Sequence, residues 1–161
     1  MRMAEMLGFE IKDKWNLIFP DLYLIDCELP VYGDFVLNKK KPMGRIDFVA
    51  EDKFGKILII EADINTSAIH IDHVSKAFIY KSAYEIDNNI FGSKKNRIIP
   101  CALIPLSTLS QRFKNIMANA KMEWIAIDSK KDGLGLNICT EIESSIGDKR
   151  YEVSFSHEII Y

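Results

Sequence analysis

"GRIDFVAEDKFGKILIIEAD", residues 44–63, is the stretch on which the reading of the fold turns. Two β-branched, apolar runs, 45–51 and 56–63, flank the loop Lys53-Phe54-Gly55, where a glycine in the left-handed position closes an antiparallel hairpin. That closure sets Asp52 opposite Lys56, Val49 opposite Ile59, Phe48 opposite Ile60 and Asp47 opposite Glu61. Both faces are apolar at the middle, which places the hairpin inside a sheet covered on both sides. Side chains alternate along a strand, so Glu61 and Asp63 share a face and Ala62 points away. Asp47, Glu61 and Asp63 are therefore expected to gather at one end of the hairpin. Like charges facing one another destabilise a sheet unless solvent, a proton or a cation intervenes. Solvation at a strand end is the plain alternative. A cluster of oxygen donors alone suits a hard divalent ion such as Mg²⁺ or Mn²⁺.

The 161-residue chain has the length of one domain, 1–161, with room for a proper core. Its 48% hydrophobic and 27% charged residues are the balance of a soluble globular protein. No apolar run approaches the roughly 20 residues of a membrane span, so no membrane association is expected. "MRMAEMLGFEIKDKW" has early acids and no apolar signal core, and Cys27, Cys101 and Cys139 form no CxxC pair. A cytoplasmic protein with reduced thiols and no zinc site is the expectation. The net charge of −2 offers nucleic acid no global attraction. Basic residues cluster locally in "NKKKPMGR" (38–45) and "SKKNR" (93–97), which read as solvated loops. The first run precedes the acidic hairpin, where it could meet a phosphate backbone.

Around the hairpin, residues 3 to about 18 carry Met3, Leu7, Ile11, Trp15 and Ile18 near a helical period, closed by Pro20. "LYLIDCELPVYGDFVL" is strand-rich, with a break expected at Pro30. "NTSAIHIDHVSKAFIYKSAYEID" is a helix with Thr66 or Ser67 as N-cap. "RIIPCALIP" is a buried strand. "STLSQRFKNIMANA" is a helix capped near Ser107 that buries Leu109, Phe113, Ile116 and Met117. "MEWIAID" is a strand, and "LNICTEIE" with "RYEVSFSHEIIY" forms a C-terminal β-hairpin, about 134–161. The order predicts an α/β layered domain with a central mixed sheet flanked by helices.

That order, with its acids, resembles the PD-(D/E)XK nuclease superfamily, whose fold is called restriction-endonuclease-like. "GRIDFVAED" supplies the family's Asp as Asp47, and "LIIEAD" supplies its Glu as Glu61, 14 residues later. The stretch is similar in particular to the RecB-like nuclease domain of archaeal mismatch endonucleases. The resemblance covers a core of about 1–128. It implies a Mg²⁺- or Mn²⁺-dependent nuclease acting on DNA, with Asp47, Glu61 and the Ala62 carbonyl as metal ligands. The departure is Asp63, which stands where the family has lysine. Relatives resembling very-short-patch repair endonucleases accept an acid there and use polar residues of the next helix. Here that helix offers His70, His73 and Lys76. RecB-like relatives carry Gln-x-x-x-Tyr on it, which corresponds here to Lys76 and Tyr80. The helical Glu of many relatives could match Glu5 or Glu10.

Two readings of the function follow. In the first, the chain is a metal-dependent nuclease or nuclease-derived DNA-processing domain. Asp47, Glu61 and Asp63 hold the ion, and Lys76, moved from strand to helix, stands near the scissile phosphate. In the second, the chain is a catalytically inactive binding or scaffold protein of the same fold, with a homodimer or protein partner at its C-terminal hairpin. At 100° per residue His73, Lys76 and Tyr80 lie on one stripe and Ile71, Val74 and Phe78 on another, so periodicity leaves the buried face open.

Overall fold

The computed structural model describes residues 15–16, 19–34, 41–62, 71–131 and 137–146. Six strands form one sheet in sequential order. They are β1 (Leu22–Val31), β2 (Gly44–Asp52), β3 (Ile57–Ala62), β4 (Ile98–Pro105), β5 (Glu123–Lys131) and β6 (Asn137–Ser144). Neighbours are antiparallel from β1 to β3. They are parallel from β3 to β5 and antiparallel again at β6. Each parallel step needs a crossover, supplied by helix α1 (Ile71–Asp87) and helix α2 (Gln111–Asn119). The sheet is therefore mixed, as the sequence implies.

The hairpin register is the expected one. Phe48 pairs with Ile60, Val49 with Ile59 and Ala50 with Leu58. The turn closes through Asp52 N donating to Lys56 O (2.9 Å) and Gly55 N to Asp52 O (3.2 Å). Gly55 has φ +81°, the left-handed conformation assigned to it. Asp52 Oδ1 also accepts from the N–H groups of Phe54 and Lys56, holding the loop in shape.

Both faces of the central strands are buried. One carries Phe48, Leu58, Ile60 and Leu103 beneath Trp15 and Phe19. Trp15 and Asn16 are helical, and the Trp15 indole N–H donates to Leu22 O at 2.9 Å. On the other face α1 covers Val31, Ile46, Val49 and Ile59 with Ala83 and Tyr80. Ala77 of α1 and Met117 of α2 pack with Ala102, Ile104 and Trp124. Ala77 and Ala83 are 0% and 3% exposed, so small side chains let α1 lie close on the strands.

Several expectations are corrected. β1 runs through Pro30, which pairs with Arg45; its irregularity lies between Leu24 and Asp26. Proline is tolerated there because β1 is an edge strand among the described residues. Helix α2 starts later than Ser107, which sits in a 3-10 turn; Ser110 is its N-cap, accepting from Phe113 N at 3.1 Å. Ile116 is 56% exposed, because only the Met117 side of this short helix meets the sheet. Residues 137–143 of "LNICTEIE" lie in β6 and pair with β5, so the first half of the expected terminal hairpin joins the main sheet, which leaves the hairpin itself uncontradicted. Its second half, the helix over 3–14 with Glu5 and Glu10, and the proposed caps Thr66 and Ser67 lie outside the described residues.

Candidate active site

β2 breaks its alternation at one residue. Phe48 packs on the Trp15 face, yet Ile46, two residues earlier, packs under α1. β1 does the same, with Cys27 against the first face and Leu29 against the second. The residues between are Asp47 and Glu28, which the register sets across from each other. Glu28 has φ +53°, a left-handed backbone that non-glycine residues adopt at a cost of about 1–2 kcal/mol. The two strands thus turn over together, and Asp47 sits at the turnover.

The paired β2–β3 register ends at Phe48 and Ile60, and beyond it side chains replace backbone partners. Asp47 Oδ2 accepts from Ala62 N at 2.8 Å, and Glu61 Oε1 lies 3.4 Å from Asp47 N. Two carboxylates are plugged into the opening between two strands. Glu61 is 4% exposed, while Asp47 is half-buried. Burial first, then the Asp47 charge and hydrogen bonding between the two carboxyls, push Glu61 up to about 9. The pair therefore calls for a proton or a cation at neutral pH. Among the described residues no third His, Cys, Asp or Glu completes a metal-holding group. Asp63 and His70, the expected contributors, lie outside the described residues, as does the side chain of His73.

Glu61 alternates with Ile60 and Ala62, which pack on the Trp15 face, and it lies close enough to α1 for the Lys76 charge to act on it. Lys76 on that helix is exposed, yet its charge reaches Glu61 and draws the carboxyl's pKa partly back down. Phe78, the residue that would have covered the site in the opposite helix phase, is 41% exposed. The buried side of α1 follows Val74, Ala77, Tyr80 and Ala83, so Lys76 flanks the contact with the sheet. Tyr80 lies against Gly44: a Cβ at that glycine would collide with the tyrosine ring and hydroxyl. Gly44, in the quoted "GRID", is thus where the helix aromatic approaches the strand backbone. Sequence reasoning placed Tyr80 near the site but gave Gly44 no partner.

The solved structures most informative about this arrangement include a repair endonuclease from Pyrococcus abyssi. It is 18% identical, with a TM-score of 0.52 over 80% of this chain and 47% of that one. The fold is restriction-endonuclease-like. A structure of an EndoMS–double-stranded DNA complex is also similar, at 14% identity and TM-score 0.46, over 76% of this chain and 41% of the other. The chain spans less than half the length of either. No protein-family model matches the sequence, and no curated protein does. Among the described residues no helix is long and apolar enough to cross a membrane.

Proposed function

We propose that the chain is a metal-dependent nuclease, or a DNA-processing domain derived from one, that hydrolyses phosphodiester bonds in DNA. The observation that carries this reading is the meeting of Asp47 and Glu61 in the opening between β2 and β3. In open α/β sheets, ligands bind beyond the carboxyl ends of parallel strands, and Glu61 is near that end of β3. The donor set fits a hard divalent ion: two carboxylates so close that one keeps a proton when no cation is near. Asp47, Glu61, Asp63 and the Ala62 carbonyl would hold Mg²⁺ or Mn²⁺. Such an ion supplies positive charge to the phosphate and lowers the pKa of an attacking water.

The chain's own residues set the remaining terms. Burial of Glu61 excludes bulk water from one side of the pair, which strengthens every charge interaction there. The Ala62 N–H fixes the Asp47 carboxylate, so its other oxygen has a defined direction. Lys76, flanking the site from α1, would meet the non-bridging oxygens of a bound phosphate and offset the charge of Asp63. Tyr80 against Gly44 supports a rotation of α1 that would bring Lys76 toward the pair.

The test is cleavage of single- and double-stranded DNA with Mn²⁺ or Mg²⁺. Asp47→Ala and Glu61→Ala should abolish it. Lys76→Ala should lower turnover about a hundredfold, the size of one transition-state charge contact, while leaving metal affinity in place. If the unaltered chain is inactive and Asp63→Lys restores cleavage, the fold has lost its chemistry and the binding-protein reading holds.

A further inference from the structure

Among the described residues, Glu28, Asn89 and Lys121 are the non-glycine residues with a left-handed backbone. Two of them have a local reason. Asn89 and Lys121 follow the ends of α1 and α2, where their N–H groups cap Ile86 O and Ala118 O. Glu28 lies inside β1, where no turn or helix end asks for that conformation. A glutamate held there without local need has its reason elsewhere in the fold.

That reason lies across the ladder. Cys27 pairs with Phe48 and Leu29 with Ile46, so Glu28 stands opposite Asp47. The first pair packs on the Trp15 face and the second under α1. No residue of β2 has a positive φ, so the left-handed step that accompanies this change of face is taken in β1 alone.

Its effect on β2 shows in the bonds to β3. Pairs that exchange backbone hydrogen bonds recur at every second position of an antiparallel ladder. Asp52 N donates to Lys56 O, which makes Asp52 and Lys56 such a pair. Ala50 with Leu58 and Phe48 with Ile60 follow in the same register. A ladder that stayed regular would next give Ala62 N to Ile46 O. The register stops at Phe48 and Ile60, and Ala62 N donates to Asp47 Oδ2 at 2.8 Å. The Asp47 carboxylate thus takes the place of a main-chain carbonyl, beside the Glu61 carboxyl.

We propose that Glu28 is a positioning residue: its left-handed backbone turns β2 over through the paired ladder and directs the Asp47 carboxylate into the opening between β2 and β3. The main chain does this; the half-buried Glu28 side chain has contacts of its own. The consequence for a bound ion rests on the nuclease reading, while the geometry stands without it.

Substitutions chosen by backbone preference test this. Glu28→Gly accepts the left-handed conformation freely, and Glu28→Ala removes the carboxylate while keeping an ordinary Cβ. Glu28→Val and Glu28→Thr are β-branched and resist a positive φ. Mn²⁺ affinity by calorimetry should match the parent in Glu28→Gly and Glu28→Ala. It should fall about tenfold or more in Glu28→Val and Glu28→Thr, the loss typical when a metal ligand loses the group that orients it. Equal losses in all four variants would place the effect in the side chain, and unchanged affinity in all four would make the strain irrelevant to the site. Failure of both β-branched variants to fold would make the left-handed residue a requirement of the whole fold. Each of these results overturns the proposal. If the parent binds no Mn²⁺, the nuclease reading fails and the metal-free crystal structure of Glu28→Val or Glu28→Thr decides. Ala62 N should then donate to Ile46 O, and an acceptor that is still Asp47 Oδ2 overturns the proposal.

Discussion

Glu61 concentrates the chemistry in one ionisable group. Its ordinary value is 4.5, and burial, followed by the Asp47 charge, holds it at about 9 in the folded chain. Between those values the folded state carries a proton that the unfolded state has released. The metal-free fold is thus most stable below about pH 4.5 on this account, and loses that contribution as pH rises through about 9. Glu61→Gln keeps the shape and cannot ionise. In EDTA its melting temperature should fall less between pH 5 and 9 than that of the parent, and should exceed it at pH 9. Parallel curves would mean that Glu61 is not a buried acid. The two carboxylates were legible in sequence because charge inside an apolar strand is conspicuous. Ala77, Ala83 and Gly44 were not, since a small residue reveals a close approach only once its partner is known. The turnover at Asp47 was equally hidden, because alternation predicts faces only while a strand stays regular.

At the scale of elements, the β2–β3 hairpin was readable residue by residue because its turn chemistry and its two apolar faces demand the same register. β1 was harder. Pro30 argues against a continuous strand unless the strand lies at an edge, and edge position depends on the whole sheet. The cap of α2 moved from Ser107 to Ser110 because two serines three residues apart offer the same signal, and Leu106–Thr108 form a 3-10 turn first. A tie between α1 and β1 had no local signal at all. Asp87, the last residue of α1, accepts from Tyr32 N at 2.8 Å and Gly33 N at 2.9 Å, across more than fifty residues of sequence. It anchors the end of the helix that carries Lys76 and Tyr80. Asp87→Ala should cost about 1–3 kcal/mol in urea unfolding, the penalty for half-buried N–H groups left to water. Asp87→Asn, which keeps one acceptor oxygen, should recover part of that loss. An unchanged urea midpoint in the alanine variant would show that the two N–H groups are served equally well by solvent.

The molecule as a whole places its two carboxylates where strands separate, at the edge of a core that otherwise buries both faces of the central strands. In the metal-free state such a site keeps a proton on Glu61 rather than carry both charges, and an ion bound only by the folded chain would take the proton's place. Stability should then rise with the logarithm of Mn²⁺ concentration, by about 2.7 kcal/mol at a hundredfold excess over Kd. For a chain of this length that corresponds to about 5–10 °C in melting temperature. Asp47→Ala should abolish the rise and yet melt no lower than the parent in EDTA, because removing one of two crowded carboxyls lifts the burden on the other. These two outcomes separate a metal site from a structural hydrogen bond. If the Asp47 carboxylate served mainly to satisfy Ala62 N, its loss would lower stability in EDTA, and the response to Mn²⁺ would persist through Glu61. A parent chain indifferent to both Mn²⁺ and Mg²⁺ would leave the pair as an acid and its anion sharing a proton, in a restriction-endonuclease-like fold put to another use.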